Sequence, residues 1–324
     1  MINLPGEALI IQAERSASAV SRSVTSRLAA ALNRPLVVGV LGEIGSGKSS
    51  LLNALFNKPV MPILGVGRTR PIIVLKYGNE YAAYSVTSDK ARHRLTSRAF
   101  QEATMGRLND GAARKTVLYR SAGLAPVKQE DTENAGPACF EVQYPLQILR
   151  SIEFVEYPGY YNLALKRRLK WPRLSRIDIA IWTTVASSAW KRSEMRDWTE
   201  LRAAPADQSI LTVTQADSLV FPEDRARLME RLQKDAGDYF SSQCIVSAKL
   251  AINRKMETGP VQDTGLEDLK KAISRLANSI RQRRIAKAVS IYERSNTNQS
   301  FDRFMAQSAI PAYSLYEWET INEP

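Results

Sequence analysis

Leu36-Val37-Val38-Gly39-Val40-Leu41-Gly42-Glu43-Ile44-Gly45-Ser46-Gly47-Lys48-Ser49-Ser50 is the stretch on which the reading of this chain turns. From Leu36 to Leu41 the residues are apolar and mostly branched, the composition of a strand buried on both faces of a parallel sheet. The run ends in Gly42-x-x-x-x-Gly47-Lys48-Ser49 and passes straight into an apolar helical segment, Leu51 to Phe56. Strand, glycine loop and helix in that order form a phosphate cradle. The glycines let successive backbone N–H groups curl around an anion, and the helix N-terminus adds partial positive charge. Lys48 then has the reach for β- and γ-phosphates, and the Ser49 hydroxyl for Mg²⁺. A glycine-rich turn that binds nothing is the alternative. Strand and helix in register on either side argue against it.

Bulk properties narrow the field. The chain has 324 residues, enough for one large core or two modest ones. Its formal charge of +12 suits an anionic partner: a nucleotide, a lipid headgroup or nucleic acid. Nucleic acid is the weakest of the three, because no aromatic residues interleave the basic runs. One histidine, His93, and two distant cysteines, Cys139 and Cys244, nearly exclude a zinc site or a His-based triad. His93 itself reads as a surface residue on a polar helix. No segment has the length and apolarity to span a bilayer, and Met1 to Leu9 lacks the pattern of a secretion signal. The expectation is a cytoplasmic protein with reduced thiols, with peripheral membrane contact left open.

Ahead of the first strand, Ala13, Ala17, Val20, Val24, Leu28 and Leu32 recur at helical spacing and predict an amphipathic helix from Gly6 to Asn33. Beyond the cradle, Lys58 to Pro71 is an irregular loop. Ile72–Gly78 and Tyr81–Val86 read as a hairpin turning at Gly78-Asn79-Glu80, and Cys139–Tyr144 with Ile152–Glu156 as a second hairpin-like pair. Between them, Ser88–Arg107 reads as helix and the rest to Gly136 as polar loop. Ile177–Val185, Ser209–Thr214 and Gln243–Ser247 are further strands, alternating with helices at Lys191–Leu201 and Pro222–Ala236. Alternation of this kind specifies a doubly wound, mostly parallel α/β sheet with added strands. A last long helix starts at Thr264-Gly-Leu-Glu267, a capping-box pattern, and its seam through Leu266, Leu269, Ile273, Leu276 and Ile280 is suited to pairing with the N-terminal helix. The tail from Ser295 is polar, then aromatic and acidic.

Further stretches fall where a guanine-nucleotide switch needs them. Glu156-Tyr157-Pro158-Gly159 ends a strand facing the γ-phosphate: the carboxylate suits Mg²⁺ and the Gly159 N–H suits the phosphate. Thr69 lies in a loop able to close over the metal. Thr214-Gln215-Ala216-Asp217 follows a buried strand at its carboxyl end, where such sheets bind ligands. Asp217 can accept hydrogen bonds from guanine N1–H and the 2-amino group, which adenine does not offer as a pair. Ser247-Ala248-Lys249 follows the last strand, with the Ala248 N–H suited to guanine O6. Each is weak singly; in this order they favour GTP over ATP.

With these motifs the chain resembles the dynamin superfamily of large GTPases, particularly its bacterial members. Gly42-Glu43 before Gly47-Lys48-Ser49-Ser50, with Leu52-Asn53-Ala54-Leu55, resembles their phosphate loop and first helix. Arg68-Thr69-Arg70-Pro71 resembles their first switch, with Thr69, or Arg68 one position earlier, at the metal-binding threonine. Pro145-Leu146 leading to Val155-Glu156-Tyr157-Pro158-Gly159 resembles the approach to their second switch. The 108 positions from Lys48 to Glu156 exceed the interval in small Ras- or Era-like GTPases. The resemblance implies a P-loop NTPase fold divided as neck helix 1–34, GTPase domain 35–255, neck helix 256–294 and tail 295–324, without a full stalk. It implies nucleotide contacts along Gly42–Ser50 and at Arg68, Thr214, Gln215, Asp217, Ser247, Ala248 and Lys249. It assigns the metal to Ser49, Thr69 and Glu156, and catalysis to Lys48, Ser49, Thr69 and Gly159. It also implies a nucleotide-dependent dimer, with itself or a related GTPase.

Three departures stand out: Glu156 where the family has Asp, Gln215 where it has Lys, and Ile44 where some members have a polar residue. They keep a second reading open, a weakly or non-hydrolysing nucleotide-binding scaffold that recruits a partner through its terminal helices. Lys166 to Arg176 and Arg281-Gln-Arg-Arg284 are basic runs, either solvated faces or contacts for anions.

Overall fold

A computed structural model describes residues 24, 26–63, 72–87, 89–105, 139–159, 176–201, 204–253 and 263–294. The helix expected before residue 24, the loop at 64–71 with Arg68 and Thr69, the segment 106–138, the basic run 166–175 and the tail lie outside the described residues. Contacts divide the chain into two units, residues 1–35 with 277–314 and residues 36–276 with 315–324.

The larger unit is built on nine strands ordered β4-β3-β5-β2-β6-β1-β7-β8-β9. They are β1 (Leu36–Gly42), β2 (Ile73–Tyr77), β3 (Ala82–Val86), β4 (Arg92–Leu95), β5 (Cys139–Tyr144), β6 (Ile152–Glu156), β7 (Ile179–Val185), β8 (Ser209–Thr214) and β9 (Ser242–Ile245). Strands β6, β1, β7, β8 and β9 are parallel neighbours, so their carboxyl ends share one edge. β1 lies within this half, and all seven of its residues are buried, as its unbroken apolar run demands.

Helices follow as α1 (helical residues 26–33), α2 (Lys48–Phe56), α3 (Ser97–Met105), α4 (Ile148–Ser151), α5 (Arg192–Leu201), α6 (Pro222–Ala236), α7 (Ala248–Asn253) and α8 (Leu266–Arg294). One sheet face carries Val37, Leu41, Val155 and Trp182 packed with Trp198 of α5 and Leu228 and Leu232 of α6. α2 packs on β6 through an edge-on contact of Phe56 with Phe154, centroids 5.1 Å apart.

The two hairpins expected from the sequence do not form. β5 lies between β2 and β3, parallel to the first and antiparallel to the second. β2 in turn lies between β5 and β6. Each short connection therefore arches over the end of a third strand. Gly78 makes the first arch possible: its N–H donates to Tyr144 O at 3.1 Å, and a Cβ there would lie 2.6 Å from the Gln143 Cβ. The second arch carries α4, whose Arg150 guanidinium lies 3.8 Å from the centroid of the Tyr77 ring beneath it. Local turn chemistry reports a reversal but cannot report what slides in between.

The reading of Ser88–Arg107 as helix from its start is corrected as well. Arg92–Leu95 is strand β4, a true hairpin partner of β3, and α3 begins only at Ser97. His93 therefore sits on an edge strand opposite Ser85, not on a helix. Basic side chains on such an edge discourage pairing with another chain.

At the start of α8, Thr264 does not close the expected capping box. Its hydroxyl lies 3.5 Å from the Leu266 N–H, while the Asp263 carboxylate accepts from Gly265 at 2.9 Å. In the smaller unit Leu28 and Leu32 of α1 pack with Ala288 and Tyr292 of α8, and Arg284 Nη1 donates to Arg34 O at 3.2 Å. Residues Leu266–Leu276, the most regular part of the α8 seam, belong to the larger unit.

Candidate functional site

The loop after β1 is organised from within. Lys48 Nζ, buried at the head of α2, donates to the carbonyls of Gly42 at 3.1 Å and Glu43 at 2.7 Å. The loop is thereby closed around its own ammonium, the group an incoming phosphate would claim. Ser46 Oγ donates to Thr183 Oγ1 at 2.6 Å, because the Thr183 hydroxyl gives its proton to Leu41 O at 2.9 Å. Thr214 Oγ1 donates to Ser46 O at 2.8 Å. Hydroxyls from β7 and β8 thus hold the loop in place from the sheet side.

Ser49 and Glu156, 107 positions apart, meet here. The buried hydroxyl lies 2.6 Å and 2.8 Å from the two carboxylate oxygens. Both are hard oxygen donors with no thiol or imidazole beside them, which fits Mg²⁺ rather than zinc. Among the described residues no group of three or more His, Cys, Asp or Glu is placed to hold a metal. Phosphate oxygens and water would have to complete the shell, the usual arrangement for this ion.

Gly159 lies against the loop itself. A Cβ at this position would come within 2.4 Å of the Ile44 nitrogen and 2.6 Å of its Cα. Only a residue without a side chain allows the end of the β6 connection to approach so closely.

The stretches expected from the sequence to read the base also converge. Gln215 adopts a left-handed conformation, φ 57°, and its Nε2 donates to Gly45 O at 3.3 Å. Asp217 follows in a short 3₁₀ turn, Ala216–Ser218. Its Oδ1 accepts from Ser247 Oγ at 2.9 Å, and Lys249 Nζ lies 3.9 Å from its Oδ2. Ala248 opens α7 between those two partners. Gly42 to Ser50, Glu156, Gly159, Thr214, Gln215, Asp217, Ser247, Ala248 and Lys249 therefore lie along the carboxyl ends of the parallel strands. Arg68 and Thr69 are outside the described residues.

Four residues that the sequence did not single out touch this loop or brace what touches it. Thr183 is one; a pair of threonines ending an apolar strand, Thr183-Thr184, was its only signal. Lys191 and Ser193 bind Glu43 in the loop, with Lys191 Nζ at 2.7 Å from Oε2 and Ser193 Oγ at 3.2 Å from Oε1. Glu194, 1% exposed, accepts from the Thr184 hydroxyl at 2.8 Å and the Lys191 N–H at 2.9 Å. Burial raises its carboxyl above the ordinary glutamate range despite those two donors.

Among solved structures the chain is similar to two chains described as an oligomerised bacterial dynamin pair for the long-range sensing and tethering of membranes. One matches with a TM-score of 0.52 and 17% identity, over 82% of this chain and 39% of the other. The second matches with a TM-score of 0.51 and 18% identity at the same coverage. Aquifex aeolicus Era bound to GDP·AlF4⁻ matches with a TM-score of 0.36 and 14% identity, over 74% of this chain and 65% of that one. This chain thus spans about two fifths of the length of those bacterial dynamins. A family model described as the dynamin family matches residues 38–240, from inside β1 to two residues before β9, which is well over half of the sequence. On that match the chain belongs to the dynamin family, and its phosphate loop opens a dynamin-family GTPase domain.

Proposed function

We propose that the chain binds GTP with Mg²⁺ and hydrolyses it to GDP and phosphate. The observation that carries this reading is the meeting of two loops distant in sequence. Thr214 and Gln215 hydrogen-bond to Ser46 O and Gly45 O, and Asp217 follows them two residues on, which supports a base-reading role for it next to the cradle. A site that reads a base and holds a polyphosphate needs that adjacency.

In this reading Lys48 releases the loop carbonyls and neutralises charge that develops on the phosphoryl group. Backbone N–H groups of Gly45 to Ser49 line the phosphates, and the Gly159 N–H meets the terminal one. Ser49 and Glu156 would hold Mg²⁺, with Thr69, and the ion would offset phosphate charge. Asp217 accepts from the guanine edge, and Ser247 and Lys249 keep its carboxylate in position. No described side chain is placed as a general base, so catalysis rests on positioning and electrostatics. We further propose the division into neck helix 1–34, GTPase domain 35–255, neck helix 256–294 and tail 295–324. Dimerisation across the nucleotide, and contact with a membrane surface, belong to the same proposal.

A second reading is favoured by one observation. Both oxygens of Glu156 close on Ser49, a reach that its extra methylene over Asp allows, and this favours a switch that holds nucleotide and turns it over little. Phosphate release measured with GTP and with ATP separates the readings. The hydrolase predicts GTP-selective release that Lys48→Ala lowers at least about tenfold along with affinity. Tight GTP binding without release selects the switch. Affinity and turnover untouched by Lys48→Ala would defeat both.

A further inference from the structure

We infer that Lys191 is a positioning residue for the phosphate loop, neutralising Glu43 so that a polyanion can enter the cradle. The inference rests on the proposal that this loop takes a nucleotide triphosphate.

Glu43 is the one carboxylate between Gly42 and Ser50. A carboxylate so near the cradle works against it, because any charge on a short loop lies within about one Debye length, roughly 8–10 Å, of the anion enclosed. The structure answers with Lys191, from the connection between β7 and α5, and Ser193, in the first turn of α5. Lys191 Nζ stands 2.7 Å from one carboxylate oxygen, and Ser193 Oγ donates to the other at 3.2 Å. Both oxygens are thereby held where that connection enters α5.

The placement of Lys191 is itself over-determined. Trp190 before it sits at φ 58°, a conformation that bulky residues rarely adopt. Its indole packs edge-on against Phe240, with centroids 5.1 Å apart, and Nε1 donates to Asp235 O at 3.2 Å. Its N–H donates to Thr184 Oγ1 at 3.1 Å, and the Lys191 N–H to Glu194. The surrounding contacts hold the strained backbone at Trp190, and the Lys191 side chain leaves from that fixed point. Here it points at Glu43.

The test measures equilibrium GTP and GDP affinity for wild type, Lys191→Ala, Lys191→Arg, Glu43→Gln and the Lys191→Ala/Glu43→Gln pair, at low and high salt. Charge neutralisation predicts that Lys191→Ala weakens GTP binding about tenfold at low salt and GDP binding less, with the loss shrinking as salt rises. Lys191→Arg stays near wild type. Glu43→Gln, which leaves the Lys191 charge unopposed, binds GTP more tightly than wild type at low salt, and the double variant, with the same net charge on the pair as wild type, returns to within about twofold of wild type. A merely structural bridge predicts instead that Glu43→Gln is as damaging as Lys191→Ala, and that result overturns the inference. So does a double variant as weak as Lys191→Ala, or a Lys191→Ala variant that binds as wild type does. Wild-type protein that bound no nucleotide would defeat the proposed function as well, which distinguishes the two failures.

Discussion

Glu194 shows how far one residue reaches in this domain. Its carboxyl is buried, holds the Thr184 hydroxyl and the Lys191 N–H, and protonates more readily in the folded protein than in the unfolded chain. The consequence for stability has a definite sign. Between the ordinary glutamate pKa and the raised folded value, the folded state binds more protons, so stability falls as pH rises through that window. Below the ordinary value the penalty is absent; above the raised value it is complete and constant. Glu194→Gln keeps an acceptor for both donors and removes the titration. Its melting temperature is expected to gain on wild type progressively as pH climbs through the window, in thermal unfolding followed from pH 4 to pH 8. A parallel pair of curves would contradict it. The raised thiol of Cys244, pushed up to about 12 by burial, is the opposite case: it stays protonated throughout that range and contributes no slope. Nothing in the local sequence around Glu194 distinguishes it from a solvated helix carboxylate; only the packing of α5 under β7 does.

At the scale of elements, residues that alternate or repeat were legible and pairings were not. β1, β8 and α6 fall where their own residues put them, because an unbroken apolar run or a helix opening on Pro222 with Glu223 and Asp224 is a local property. The partner of a strand is not local. Cys139–Tyr144 inserts between two strands that follow each other closely in sequence, and buried Glu141, paired with Lys76 at 2.6 Å and Arg92 at 2.9 Å, ties β5 to β2 and to β4. The helix pair offers a prediction of its own. Leu32 and Tyr292 are buried against each other's helices in the smaller unit. Leu32→Ala or Tyr292→Ala is expected to cost that unit about 2–5 kcal/mol. Hydrogen exchange should then rise in 26–33 and 285–294, while nucleotide affinity stays within about twofold of wild type. Loss of nucleotide binding together with the pair would show that the two are one cooperative unit.

For the whole molecule, the decisive property is whether turnover belongs to one chain or two. If paired GTPase domains complete each other's sites, specific GTP turnover is expected to rise several-fold as the protein is taken from well below to above the concentration at which it dimerises. Sedimentation in the presence of GDP with aluminium fluoride should show the dimer that GDP alone does not. Turnover flat with concentration would assign the activity to the monomer. No helix among the described residues is long and apolar enough to cross a membrane. The amino-acid sequence by itself determined the phosphate-loop motif, the mostly parallel α/β class and the family, because a glycine loop between a buried strand and an apolar helix has few other uses and each motif is contiguous. Only the tertiary structure decided what surrounds the cradle: the threonines beneath it, Lys191 and Ser193 on Glu43, and β5 between two strands read as neighbours. Those relations join residues far apart in the chain, and they exist only once the sheet has brought its strand ends to one edge.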